Sequence, residues 1–168
     1  MNSEERHIFS VLVENRFGVL ARVAGLFSGR GFNIDSLNVA ETHDKSISHI
    51  TLVTHGDAQI IDQIYQHLNR LIDVIEVTDL STAGTHVERE LVLIKIATDD
   101  PQKRTEILQV AEVFRGRVID MKPASIVLEI TGDEGKLKAA IDIFNTYGIL
   151  ELARTGKIAM LRGSEKKE

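Results

Sequence analysis

The sequence predicts an α+β protein made of two ferredoxin-like βαββαβ domains in tandem, each a four-stranded antiparallel sheet with two helices on one face. Three observations predict it. Apolar periodicity switches between strand and helix spacing in the order strand, helix, strand, strand, helix, strand. The order then occurs a second time. Each switch is punctuated by glycine, proline or an aspartate at a position that starts or stops a helix. The chain has 168 residues, 43% apolar and 27% charged, enough for two small domains.

Residues 8–14 form a short apolar run with Phe9, Val11 and Val13, of strand length and β-branched content. After Asn15-Arg16-Phe17-Gly18 the period changes, and Val19, Leu20, Val23, Ala24, Leu26 and Phe27 recur at helical spacing. Gly29 and Gly31 offer positive φ at no cost, so the helix ends there and the chain returns as a strand near residues 33–41. Residues 42–45 are polar turn material. Residues 47–54 alternate, with Ile50 and Leu52 on one face and His49, Thr51 and Val53 on the other, completing a hairpin. Gly56-Asp57 is a turn plus N-cap before a second amphipathic helix through Ile60, Ile61, Ile64, Leu68 and Leu71, and residues 72–78 close the unit.

Residues 81–86 contain little to bury and read as a linker between a domain of residues 1–80 and one of residues 87–163. In the second domain, residues 91–96 are a strand, and Asp100-Pro101 caps and starts a helix that Gly116 ends. Residues 118–122 and 126–131 flank the break at Pro123. Asp133 caps the last helix, and a final strand begins at Ile149. Residues 164–168 are charged and read as a mobile tail.

Twenty basic against 25 acidic side chains give a net charge of −5, which argues against nucleic acid as a partner. Residues 1–80 hold 6 basic and 11 acidic side chains, so the first half carries that deficit. There is no cysteine, which excludes a disulfide framework, a thiolate nucleophile and a Cys-ligated metal. The six histidines have no HExxH or comparable ligand spacing, and no G-x-S-x-G elbow is present, so neither a metal nor a catalytic residue is expected. No apolar run approaches the ~20 residues of a membrane span and the first residues lack a signal-like apolar stretch, so the expected location is the cytoplasm, with no membrane contact. Gly25, Gly29 and Gly31 lie late in a helix and fail the dinucleotide-loop spacing.

One turn offers chemistry. The start of a helix leaves N–H groups unpaired at the positive end of its dipole, where a carboxylate binds well. Gly18 lets a ligand come close to the backbone, and Asn15 and Asn33 stand at element boundaries where their amides can donate to a carboxylate or accept from an ammonium. Val19, Leu20 and Ile34 can supply an apolar wall. On composition alone the plainer reading, Asn15 as a turn residue and Gly18 as a helix start, is favoured. The corresponding turn of the second domain, Thr98-Asp99-Asp100-Pro101, presents two carboxylates and is unsuited to an anion.

The string from Leu12 to Phe27, LVENRFGVLARVAGLF, continuing into Arg30-Gly31-Phe32-Asn33-Ile34-Asp35-Ser36-Leu37, resembles the regulatory (small) subunits of bacterial acetohydroxyacid synthase, also called acetolactate synthase. Residues 87–95, VERELVLIK, resemble that family's entry to its second domain. The resemblance implies that the first domain is an ACT domain, the amino-acid-sensing form of this fold. It also implies a non-catalytic chain that activates a separate catalytic large subunit and makes it sensitive to feedback inhibition by valine. The cofactors, thiamine diphosphate, Mg and FAD, are then expected on the catalytic subunit and none on this chain. The family's effector lies where two ACT domains of a homodimer meet, with Asn15, Gly18 and Asn33 matching its valine site and Val19, Leu20 and Ile34 beside them. The second domain is then expected to serve dimerisation, packing or contact with the catalytic subunit. The competing reading is an autonomous ACT-domain amino-acid-sensing regulator, against which the absence of a helix-turn-helix or basic patch counts.

Overall fold

A computed structural model describes residues 5–163 of the chain. The first repeat comprises β1 (Glu5–Glu14), α1 (Val19–Ser28), β2 (Ser36–Glu41), β3 (Ile47–Gly56), α2 (Ala58–Asn69) and β4 (Val74–Asp79). After the short α3 (Leu80–Ala83), the second repeat comprises β5 (His86–Ala97), α4 (Pro101–Val113), β6 (Arg117–Lys122), β7 (Ser125–Gly132), α5 (Glu134–Asn145) and β8 (Ile149–Arg154), and β9 (Ile158–Leu161) follows. The strand orders are β2-β3-β1-β4 and β6-β7-β5-β8, antiparallel throughout, which is the predicted tandem ferredoxin-like arrangement.

The register explains the alternation. In the first sheet Phe9 lies opposite Leu52 and Val11 opposite Ile50, and these side chains meet Val23, Phe27, Ile64 and Leu68 from the two helices in one core. Each fully buried residue of this kind contributes about 1.5–3 kcal/mol relative to exposure. The second core repeats the pattern, with Ile94, Ile96, Leu128 and Ile130 from the sheet against Ile107, Leu137 and Phe144 from α4 and α5.

Three of the four long helices carry the caps read from the sequence. Asp57 accepts from the Gln59 and Ile60 amides at 3.0 and 2.9 Å, Asp100 from Lys103 at 2.7 Å with Pro101 following, and Asp133 from Lys136 at 2.9 Å. Each such cap is worth about 1 kcal/mol. No side chain caps α1, whose N-cap position is Gly18.

Several boundaries differ from those expected. Gly29 has an ordinary helical φ of −68°, and the left-handed turn after α1 falls on Gly31 at +72°. The closing strand begins at Val74, leaving Ile72 almost fully exposed in the turn before it. The segment expected to be a linker is not one: Asp79 caps a helical turn through Ser81, and β5 already starts at His86. The domain division shifts as well. Among the described residues one compact unit runs to Val87 and takes back residues 157–163, and the other is Glu88–Gly156. The reason is the second face of the first sheet, where Ile8 and Val53 form a small core with Leu80 and Ala159. The charged stretch 164–168 lies outside the described residues. Among the described residues no helix is long and apolar enough to cross a membrane.

Candidate functional site

β1 ends at Glu14, whose amide donates to the Asp73 carbonyl at 2.8 Å, and the Asn15 amide donates to Ser46 at 2.7 Å. These bonds tie the β1–α1 turn to the turns before β3 and β4. The chain then reverses into α1 through Gly18 at φ +82°, in the left-handed region that glycine enters without the penalty a Cβ brings. A Cβ on Gly18 would also come within 3.2 Å of the Arg22 guanidinium. Within the first turn, the Val19 amide reaches the Arg16 carbonyl only at 3.3 Å. The amino end of α1 thus keeps its partial positive charge without a side-chain acceptor to neutralise it.

Arg22 does not add free charge to this end. Its Nε and Nη2 both donate to Asp73 Oδ2 at 2.7 Å, and Asp73 is buried. The pair braces α1 against the turn that leads into β4. Just before α1, Phe17 is fully exposed.

The two asparagines resolve the ambiguity of their amides in the same sense. Asn15 Nδ2 donates to Glu41 Oε1 at 3.1 Å and to the Lys45 carbonyl at 2.9 Å. Asn33 Nδ2 donates to Asp35 Oδ1 at 2.7 Å, and the other Asp35 oxygen accepts from His55 Nδ1 at 2.6 Å. The Asn33 backbone is itself held, since Thr54 Oγ1 donates to its carbonyl at 2.6 Å. Asn15 has both of its N–H donors engaged inside the fold and Asn33 has one of its two held by Asp35, and each asparagine has its carbonyl oxygen to offer to a ligand. Both side chains are exposed.

Of the apolar residues expected at the site, Leu20 is 45% exposed and available, and Ile34 is half-buried against the core. Val19 is only 4% exposed and packs in the core, so its contribution at the surface is confined to the backbone.

A single chain does not gather these residues. Asn15 and Gly18 stand before α1, and Asn33 and Ile34 after it, separated by the ten residues of the helix, about 15 Å. The sheet gives the same answer. Asn15 sits at the Ile47 end of β3 and Asn33 at the Thr54 end, seven residues or about 23 Å away. A concavity of about 770 Å³ lies at neither end but between α2, β4 and α3, where His7, Asp57, Asp62, Tyr65 and Asp79 line it. Asp79 accepts there from His7 Nδ1 at 2.8 Å.

Sequence reasoning did not single out Arg22, Asp35, Glu41 or His55. For Asp35 a signal existed, two residues beyond Asn33 and within reach of a local side-chain bond. Glu41 and His55 depend on pairings across the sheet, and Arg22 on the packing of α1 against the turn before β4.

Two family models cover most of the chain. One described as the small subunit of acetolactate synthase matches residues 89–163, and an AHAS small subunit-like ACT domain matches residues 9–76. The acetolactate synthase small subunit of Aquifex aeolicus is 48% identical over 163 residues, 97% of this chain and 84% of the relative. That of isozyme 3 from Escherichia coli is 43% identical over 161 residues, 95% of this chain and 98% of the relative. The crystal structure of the Thermotoga maritima acetolactate synthase small subunit superposes with a TM-score of 0.86 at 38% identity, covering 94% of this chain and 98% of that one.

Proposed function

The chain belongs to the acetolactate synthase small-subunit family, and on that premise we propose that it is a non-catalytic cytoplasmic subunit that activates a catalytic large subunit and confers feedback inhibition by valine. The thiamine diphosphate, Mg and FAD of the reaction then belong to the large subunit.

The observation that carries this reading is the polarity of the α1 surroundings. An uncapped helix start offers N–H groups to a carboxylate, and two asparagines offer carbonyl oxygens to an ammonium. A zwitterionic α-amino acid has that pair of charges two bonds apart. Exposed Leu20 and half-buried Ile34 supply apolar surface for a branched side chain.

Because Gly18 and Asn33 stand at opposite ends of α1, one amino acid can touch both only if they come from different chains. A two-fold axis that sets α1 antiparallel to its copy brings Asn15 and Gly18 of one protomer against Asn33 of the other, twice per dimer. Valine then bridges the two chains and favours the arrangement in which they lie close. Inhibition follows if that arrangement supports the catalytic subunit less well, and linkage requires the catalytic subunit to weaken valine binding by the same factor, with a coupling of about 1–3 kcal/mol.

Titration calorimetry of the purified chain with valine, with glutamate as the off-target amino acid, tests the site. Saturable binding of valine is expected, and Gly18→Asp should abolish it, since the new carboxylate lies where the ligand's would and a side chain at φ +82° costs about 1–2 kcal/mol. In the enzyme reconstituted with its catalytic subunit, the same variant should still stimulate turnover but no longer respond to valine. Full valine inhibition retained by Gly18→Asp would overturn the assignment.

A further inference from the structure

We infer that Asp35, held by His55, is the positioning residue that makes this site select an α-amino acid over the 2-oxo acid with the same side chain. The inference rests on the effector site proposed above and adds the feature that determines its selectivity.

A carboxamide is nearly symmetric in shape, so Asn33 can face a ligand with either an acceptor or a donor. Asp35 biases the choice by holding one of the two N–H donors and so setting which way the amide is turned. Its Oδ1 takes the Asn33 NH2 at 2.7 Å, and its Oδ2 is fixed by His55 Nδ1 at 2.6 Å, so the carboxylate cannot swing away without losing a second bond. Thr54, fully buried, anchors the Asn33 backbone at 2.6 Å and leaves the side-chain torsions as the remaining freedom. The oxygen of Asn33 therefore faces outward.

That orientation distinguishes two ligands that differ at one atom. An α-ammonium donates to the oxygen and is attracted by the carboxylate behind it. The 2-oxo acid instead has a carbonyl oxygen at that place, an acceptor set against an acceptor, and the polar group of the site is left without a partner. An end-product sensor with this geometry ignores the oxo acid from which the amino acid is made by amination.

Asn15 contributes in the same sense but depends less on a single neighbour. Its NH2 is shared between Glu41 Oε1 at 3.1 Å and the Lys45 backbone carbonyl at 2.9 Å, so removal of Glu41 leaves an acceptor in place. Among the described residues Asp35 alone accepts from the Asn33 NH2, which makes Asp35 the position to test.

The experiment is calorimetric titration of the full chain with valine and, separately, with 3-methyl-2-oxobutanoate, for the wild type, Asp35→Ala and Asp35→Asn. The wild type should prefer valine by about tenfold or more. Asp35→Ala should lose most of that preference, chiefly through weaker valine binding. Asp35→Asn keeps an oxygen that can accept from Asn33 and should retain most of it. Asp35 is on the surface, with its side chain one-third exposed, and thermal melts of the variants check that the fold is kept. A structural defect would weaken both ligands together and leave their ratio unchanged. An unchanged ratio in Asp35→Ala, or equal affinities in the wild type, overturns this inference while leaving the effector site standing. A wild type that binds neither ligand overturns both.

Discussion

Gly18, Asn15 and Asn33 differ in how far their roles can be read without a fold. Glycine before an apolar helical stripe already suggests a backbone that must turn left-handed or be approached closely, and φ of +82° beside Arg22 accounts for it. For the asparagines the residue type leaves donor and acceptor open, because strand pairing is what brings Glu41 and Lys45 to Asn15, and His55 to the Asp35 carboxylate that holds Asn33. The histidines show the same dependence on surroundings. His49 lies on the second face of the first sheet with Nε2 2.8 Å from Ser10 Oγ, and burial pushes its pKa below the ordinary value of 6.5. Its folded pKa is thus lower than its unfolded one, so on acidification the unfolded chain takes up the proton first. The stability due to this shift is complete above pH ~6.5 and is lost as the pH falls from there toward the folded pKa. His67 shifts in the same direction, from desolvation first and then from Arg30 and Arg70. Melting temperatures measured from pH 7.5 to 5 should therefore fall less steeply in His49→Gln than in the wild type. Parallel curves would mean that His49 takes its proton as readily folded as unfolded.

Helices with a local start signal were legible, and the short elements were not. Asp57, Asp100 and Asp133 each precede an apolar stripe, and each caps a helix. β3 was readable because its alternation persists over enough residues to define a face, whereas the edge strands β2 and β6, which bury no alternating face, were read from the turns that bound them. α3 has four residues and β9 has four, too few for any period to register. What makes them structure is distant in sequence: Leu80 and Ala159 cover Ile8 and Val53, which the period-two pattern of β1 and β3 had placed on the face away from α1 and α2. A segment that looked like a linker by composition is therefore part of a core. Leu80, at 2% exposure, is the test. Leu80→Ala should destabilise the chain by about 2–5 kcal/mol in urea titration, with faster amide exchange through β9. A cost below about 1 kcal/mol, within the range of a surface change, would mean that α3 only rests on the sheet.

At the scale of the assembled molecule, the separation of the site residues becomes a constraint on how many chains a site needs. α1, about 15 Å long, separates Asn15 and Gly18 from Asn33, and no rotamer change spans a rigid helix of ten residues. If valine touches both ends, each site takes one end from each of two chains, and the two sites of a symmetric dimer use opposite combinations. Two variants that are each unable to bind should then complement one another. In a mixed dimer of Gly18→Asp and Asn33→Ala chains, one site combines both defects. The other combines the intact Gly18 of one chain with the intact Asn33 of its partner. Neither homodimer has such a site. The two variants, purified separately, unfolded together and refolded as a mixture, should regain saturable valine binding that neither shows alone, at a fraction of the wild-type stoichiometry and with near wild-type affinity. Differently tagged chains allow the mixed dimer to be isolated, where one valine per dimer is expected. Failure of the isolated mixed dimer to bind, with each chain folded by thermal melt, would mean that both ends of α1 act within the same chain or that valine uses only one of them.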